Sequence, residues 1–205
     1  MVRPRFARLP LEQQQVILRA ALDEFAAHGF RDASLNRVID AAGISKGSMY
    51  YYFDGKEDLY AHVTRTEFER LFAGLGSFVV PPEPDPDAFW ATLERHYLDV
   101  MTRLAASPQL TALIRGWLSA SGDPALHQAQ HELERATLPW FERTLATGQT
   151  GGAIRTDLPP DLLITVVLGM GQAMDIWLMA QRPGEDDLPR LVGVLVGMIR
   201  RALEP

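Results

Sequence analysis

Between Ser34 and Lys56 the chain crowds together side chains suited to gripping a polyanion and the edges of bases: Ser34, Asn36, Arg37, Lys46, Ser48, Tyr50, Tyr51, Tyr52 and Lys56. Their hydroxyl, amide, guanidinium and ammonium groups donate to phosphate oxygens and to groove-facing base atoms. Eighteen of the twenty basic residues of the chain are arginine, and the only two lysines, Lys46 and Lys56, both lie here. Covalent chemistry has no comparable candidate. The chain has no cysteine, no glycine-rich phosphate loop after a strand, and no defensible nucleophile–base pair. An enzyme is therefore not expected, nor is a cofactor.

Those groups need elements that present them. Ser34 through Phe53 reads as two short helices about a glycine, the geometry that sets a second helix into a major groove. Leu35, Val38, Ile39 and Ala42 form an apolar stripe on the first, with Ser34 as its expected N-cap. Gly43 supplies a turn with positive φ, and Ile44 plugs the angle between the helices. The next helix begins at Ser45, a second N-cap candidate. Met49 and Phe53, four apart, face inward, which leaves Gly47 and Tyr51 opposite, flanked by Ser48, Tyr50 and Tyr52. Successive helical residues are about 100° apart, so three consecutive tyrosines cannot all be core. Packing remains the competing role for Tyr50.

An earlier helix carries Ile17, Leu18, Ala21, Leu22 and Phe25 and should stop at Gly29. Before it, Arg3, Arg5 and Arg8 are expected to form a solvated tail rather than an arm for the minor groove. A fourth helix opens with the capping-box-like Asp54-Gly55-Lys56-Glu57 and runs to about Leu75. Leu59 and Val63 mark one face, and Phe68, Leu71, Phe72 and Leu75 another, as in a connector serving two cores. Gly74, Gly76 and Pro81-Pro82-Glu83-Pro84-Asp85-Pro86 then read as a stiff boundary. Five further helices are expected at about 87–106, 108–119, 124–147, 160–181 and 187–203, with Gly148, Gly151 and Gly152 before the last pair. Residues 1–56 carry a net charge of +2 and the remainder −8, a basic reader joined to an acidic body.

The segment resembles the DNA-binding domain of the TetR (tetracycline-repressor-like) family. The resemblance runs from Phe25 through Gly29-Phe30, Ser34, Val38-Ile39, Ala42-Gly43-Ile44-Ser45-Lys46-Gly47, Met49-Tyr50 and Tyr52-Phe53 to Lys56-Glu57 and Leu59. Val38-Ile39 departs from the Ile-Ala frequent there. The resemblance implies an all-α, nine-helix, two-domain regulator: a helix-turn-helix domain over 1–56, a connector helix over 56–75, and a ligand-binding and dimerisation domain over 57–205. It implies phosphate contacts from Tyr50, Tyr52 and Lys56, and base approach by Lys46, Gly47, Ser48 and Tyr51. Asn36 and Arg37 would touch the backbone and one base. A repressor released from a palindromic operator by a small molecule is expected, working in the cytoplasm. The alternative is a structural or partner-binding DNA protein without an effector.

The C-terminal half supplies the rest. Leu162–Ala180 is apolar except for Thr165, Gln172 and Asp175, long enough for a membrane span. Gln172 and Asp175 within it and the lack of basic flanks argue instead for a buried helix. Leu191–Ile199 is apolar on every side too. The last two helices should therefore pair with those of a second copy, making a homodimer. Trp90, Tyr97 and Met101 form a stripe on which Trp117, Trp140, Met170, Met174 and Trp177 could converge around a flat or greasy ligand. Asp175 would need a partner there, an internal Arg or His ahead of a cationic or hydrogen-bonding effector. His127 and His131 have metal-like i, i+4 spacing but no third ligand, so no metal is expected.

Overall fold

Helical spacing of apolar residues places nine helices on the chain. The computed structural model describes residues 5–73, 85–120 and 122–205. Among these it has nine α-helices and no strand: α1 (Leu11–Asp32), α2 (Leu35–Ala42), α3 (Lys46–Tyr52), α4 (Lys56–Ala73), α5 (Pro86–Ala105), α6 (Pro108–Ser119), α7 (His127–Thr150), α8 (Pro160–Gln181) and α9 (Asp187–Leu203). A short 3-10 helix, Phe6–Arg8, precedes them. Arg3, Gly74, Leu75, Gly76, Pro81, Pro82, Glu83, Pro84 and the Phe72 side chain lie outside the described residues.

Packing divides the chain into two units. The first gathers residues up to Arg70 with Ser107–Leu133, and the second Leu71–Ala106 with Glu134–Pro205. Thus α6 and the start of α7 pack with the N-terminal helices, because Leu113, Trp117 and Leu126 are buried in one cluster with Phe25, Leu59 and Tyr60. Phe68 also packs against this cluster, although its face of α4 was expected to serve a second core. Leu71 is buried and belongs to the second unit.

Helix ends follow local chemistry. α1 breaks at Gly29, where a stop was expected, with a non-helical φ of 66° and ψ of 178°, and a further turn beyond the break runs to Asp32; there Phe30 stacks on Tyr60 with centroids 5.1 Å apart. Ser34 precedes α2, but its side chain makes no cap; the Glu24 carboxylate takes the Ser34 N–H instead, at 2.7 Å. Ser45 caps α3 as expected, accepting from the Ser48 N–H at 3.0 Å, and Gly43 ends α2 at φ 64°. At α4 the carboxylate that accepts the Asp54 N–H, at 3.1 Å, is Asp58, one residue beyond the Glu57 of the expected capping box.

The N-terminal stretch is not a solvated tail from Arg5 onward. Phe6 is buried against Phe53 (4.9 Å) and His62 (5.3 Å), and burying a phenylalanine contributes about 1.5–3 kcal/mol. Gln14 Nε2 donates to the Leu9 carbonyl at 2.8 Å, tying this stretch to α1.

In the second unit α5 packs on α9. Arg200 on α9 pairs with Asp87 on α5 at 2.7 Å, and the Arg155 N–H donates to the Leu203 carbonyl at 2.7 Å. Gly148 lies in the last turns of α7, not in a loop, where an added Cβ would stand 2.5 Å from Ile154 and 2.9 Å from Phe89.

Candidate nucleic-acid interface and ligand site

The seven-residue α3 has one buried side chain, Met49, and an open face. Tyr50 and Tyr51 are 44% and 48% exposed, and Lys46 and Gly47 are exposed beside them. Tyr52 is half-buried and turns toward Phe6, with centroids 6.0 Å apart. The packing role that competed for Tyr50 thus falls mainly on Tyr52. Ser48 is half-buried, and its hydroxyl lies 2.8 Å from that of Ser45. A Cβ built on Gly47 would meet nothing closer than Ser45 Oγ at 3.7 Å. The protein's own packing therefore leaves room for a side chain at Gly47.

Asn36 and Arg37 are exposed at the start of α2, but Arg37 is already engaged. Its Nε donates to both Glu24 oxygens at 2.9 and 3.0 Å, and its second nitrogen to Glu24 at 2.6 Å and to the Asp32 carbonyl at 2.9 Å. The bonds from Arg37, with the Ser34 N–H, hold the largely buried Glu24 carboxyl below the usual carboxylate range. Glu24 is a residue that sequence reasoning missed; a carboxylate on the buried side of α1 was the available signal. Lys56 is committed in part as well. Its ammonium donates to the Arg31 carbonyl at 2.8 Å and the Ala33 carbonyl at 3.2 Å, and lies 5.0 Å from the Phe30 ring centroid. Two of three ammonium protons are thereby used.

Among the expected ligand contacts, Tyr97 and Asp175 are joined by a hydrogen bond. Tyr97 on α5 donates to Asp175 Oδ1 on α8 at 2.6 Å. The partner of Asp175 is thus a phenol, not the expected Arg or His. Burial pushes the Asp175 carboxyl up to about 6 and, with the neighbouring carboxylate, pushes the Tyr97 phenol far above its ordinary range. Trp90, buried on the same helix, donates to the Ala153 carbonyl at 3.3 Å. Met101 and Met174 are buried, and Met170 is half-buried. Trp140 stacks on His96, whose imidazole burial pushes below its usual range. Two aromatics fall elsewhere. Trp117 belongs to the first unit, 5.6 Å from Tyr60. Trp177 is 45% exposed on an outer face of α8.

The model for "Bacterial regulatory proteins, tetR family" matches residues 17–63, the span that holds α2 and α3. The HTH-type transcriptional repressor SCO4008 of Streptomyces coelicolor is 30% identical over 197 residues, covering 93% of this chain and 87% of its own. The HTH-type transcriptional repressor AcnR of Corynebacterium glutamicum is 27% identical, covering 76% of each. Among solved structures, a tetR family transcription regulator from Shewanella sp. PV-4 superposes with a TM-score of 0.74 at 18% identity, over 93% of this chain and 97% of that one. FadR from Bacillus subtilis, in complex with stearoyl-CoA, gives 0.67 at 20% identity, over 90% and 96%.

Two outcomes follow from these geometries. Gly47→Ala should fold and melt no lower than the parent, since alanine gains about 0.5–1 kcal/mol over glycine inside a helix, while duplex affinity measured by anisotropy falls. A lowered melting temperature would mean that Gly47 serves the fold. Asp175→Asn keeps an acceptor for Tyr97 and removes the charge. The native carboxyl is protonated up to about pH 6, whereas the unfolded one ionises near 3.9. Stability is therefore lost as pH rises between those values, and the full cost stands above pH 6. The variant should be more stable at pH 7–8, by up to about 3 kcal/mol, with the gain vanishing near pH 4. The difference between the two melting curves separates this group from His62. Burial lowers the His62 imidazole to about 4, so it costs stability in the opposite direction, as pH falls. A gain that does not vary with pH would contradict the assignment.

Proposed function

Because the chain belongs to the TetR family of bacterial transcriptional regulators, we propose that it represses transcription from a palindromic operator as a cytoplasmic homodimer and is released by a small-molecule effector. The observation that carries this reading is the open face of α3. Lys46, Gly47, Tyr50 and Tyr51 stand in solvent on a helix whose other side is locked into the core by Met49. Lys46, Gly47, Ser48 and Tyr51 approach base edges, and Tyr50 and Tyr52 hold phosphates. Lys56 adds its remaining N–H at the start of α4, where a phosphate also meets the positive end of the helix dipole. Arg37, held by Glu24, keeps the amino group opposite its clamp for the DNA backbone and positions Asn36 beside it.

The dimer reading rests on α8 and α9. Leu162, Val166, Gly169, Ala173, Trp177 and Ala180 recur at intervals of three and four along α8, and all are exposed. On α9 Val194 and Met198 are exposed one turn apart. Apolar stripes on two packed helices call for cover by a like surface. α8 is long and apolar enough to cross a membrane, but Asp175 within it, bonded to Tyr97, is better served by protein surroundings.

For release, an effector must prefer the arrangement in which the α3 helices are misplaced. FadR from Bacillus subtilis holds stearoyl-CoA; here Tyr97 and Asp175 give the second unit a polar anchor that accepts hydrogen bonds or positive charge. Only Ala106 and Ser107 separate α5, which carries Tyr97, from α6, which packs on α1. That short joint and α4 are the levers by which a bound ligand moves the DNA-reading helices.

Selection from random duplexes should return an approximate palindrome with half-site centres about 10–10.5 base pairs apart, and the protein should leave that site when its effector is added. Failure to enrich any sequence overturns the reading. Trp177→Glu with Val194→Glu should keep the helical content, halve the mass in solution and cost about a hundredfold or more in operator affinity, because two half-sites are no longer linked. A dimer that survives both charges would place the interface elsewhere.

A further inference from the structure

The residue just before the 3-10 helix lies over the face assigned to DNA. Phe6, 2% exposed, is packed against both Phe53 and His62, and Gln14 holds the Leu9 carbonyl. Arg5 is thereby fixed beside α3, with its guanidinium carbon 4.3 Å from the centroid of the Tyr51 ring. Arg5 is exposed. Among the described residues no carboxylate or carbonyl is bonded to it, in contrast to Arg37 and Lys56, part of whose donors serve the fold. A guanidinium stacked through its flat face keeps its in-plane N–H groups free, and that edge matches the oxygens of a phosphate.

We propose that Arg5 is a phosphate-binding residue of the DNA interface, delivered by the Phe6 anchor and oriented by the Tyr51 ring. The proposal rests on the reading that α3 meets DNA and adds to it a contact from outside the helix-turn-helix. Stacking also restrains Tyr51, whose phenol is otherwise half in solvent, so one pair couples register on the backbone to a base-approaching side chain.

The test uses the full chain and the duplex enriched by selection, with affinity measured from about 50 to 200 mM salt, the range over which phosphate contacts weaken strongly. Arg5→Ala should weaken binding about ten-fold. It should also flatten the plot of log affinity against log salt by about 0.9 per arginine lost, close to two for a dimer. Arg5→Lys should restore the slope. In a Tyr51→Phe background the Arg5 effect should persist, and in Tyr51→Ala it should shrink, the non-additivity expected of a touching pair. Unchanged melting temperatures are expected, since Phe6 is untouched. Parent-like affinity and slope for Arg5→Ala overturn the proposal while operator binding stands. Lost affinity with an unchanged slope overturns it too, leaving Arg5 only as a support for Tyr51. If the parent protein binds no duplex, the reading of α3 fails and this proposal fails with it.

Discussion

A helix advances about 100° per residue, and in a helix of two turns that rotation leaves little choice. With Met49 and the following Phe53 each 1% exposed, Tyr50 and Tyr51 must face away from the core. The aromatic cluster of Phe6, Phe53 and His62 closes over this anchor. Phe25, Phe30, Tyr60 and Trp117 close over the other side of the same core. Orientation of the exposed face of α3 is therefore set by what is buried beneath it. A helix-turn-helix domain of this size encloses little apolar volume, and here α6 and the start of α7 enlarge it.

Charged groups at the edges of that core act as joints. Glu24 binds the N–H at the start of α2 and the guanidinium of Arg37, fixing α2 against α1. Lys56 fixes the start of α4 against the end of α1 by taking two of its carbonyls. Breaking such a pair leaves a group without its partner in a half-buried place, which costs more than the pair itself contributes. In the second unit the balance differs. Asp175 has a neutral partner and a carboxyl that burial disfavours as an anion. A costly group of that kind within an apolar helix is intelligible if a ligand completes it.

The elements were largely legible in the residues because their causes are local. Apolar spacing marked all nine helices, Gly43 marked the turn and Ser45 the cap. The exposed face of α3 was legible for the same reason, since Met49 and Phe53 sit four apart. What sequence did not disclose depends on contacts distant along the chain. Phe6 offered no periodic signal before it met Phe53. Ser34 looked like a cap by type, but its side chain caps nothing, and its own N–H is taken by Glu24 ten residues earlier. Trp117 shares its residue type with the ligand-site candidates, yet α6 belongs with α1. Arg37 and Lys56 were legible as cations, whereas the acceptors that hold them were not.

The exposed side of α3 can be interrogated residue by residue with oxidative footprinting read by mass spectrometry, comparing the free protein with the protein saturated by its selected duplex. Tyr50 and Tyr51 should react readily when free and become strongly protected on DNA, while Trp177, on α8, should react equally in both. Tyrosines that stay fully reactive while the duplex is demonstrably bound would mean that DNA is held by another surface.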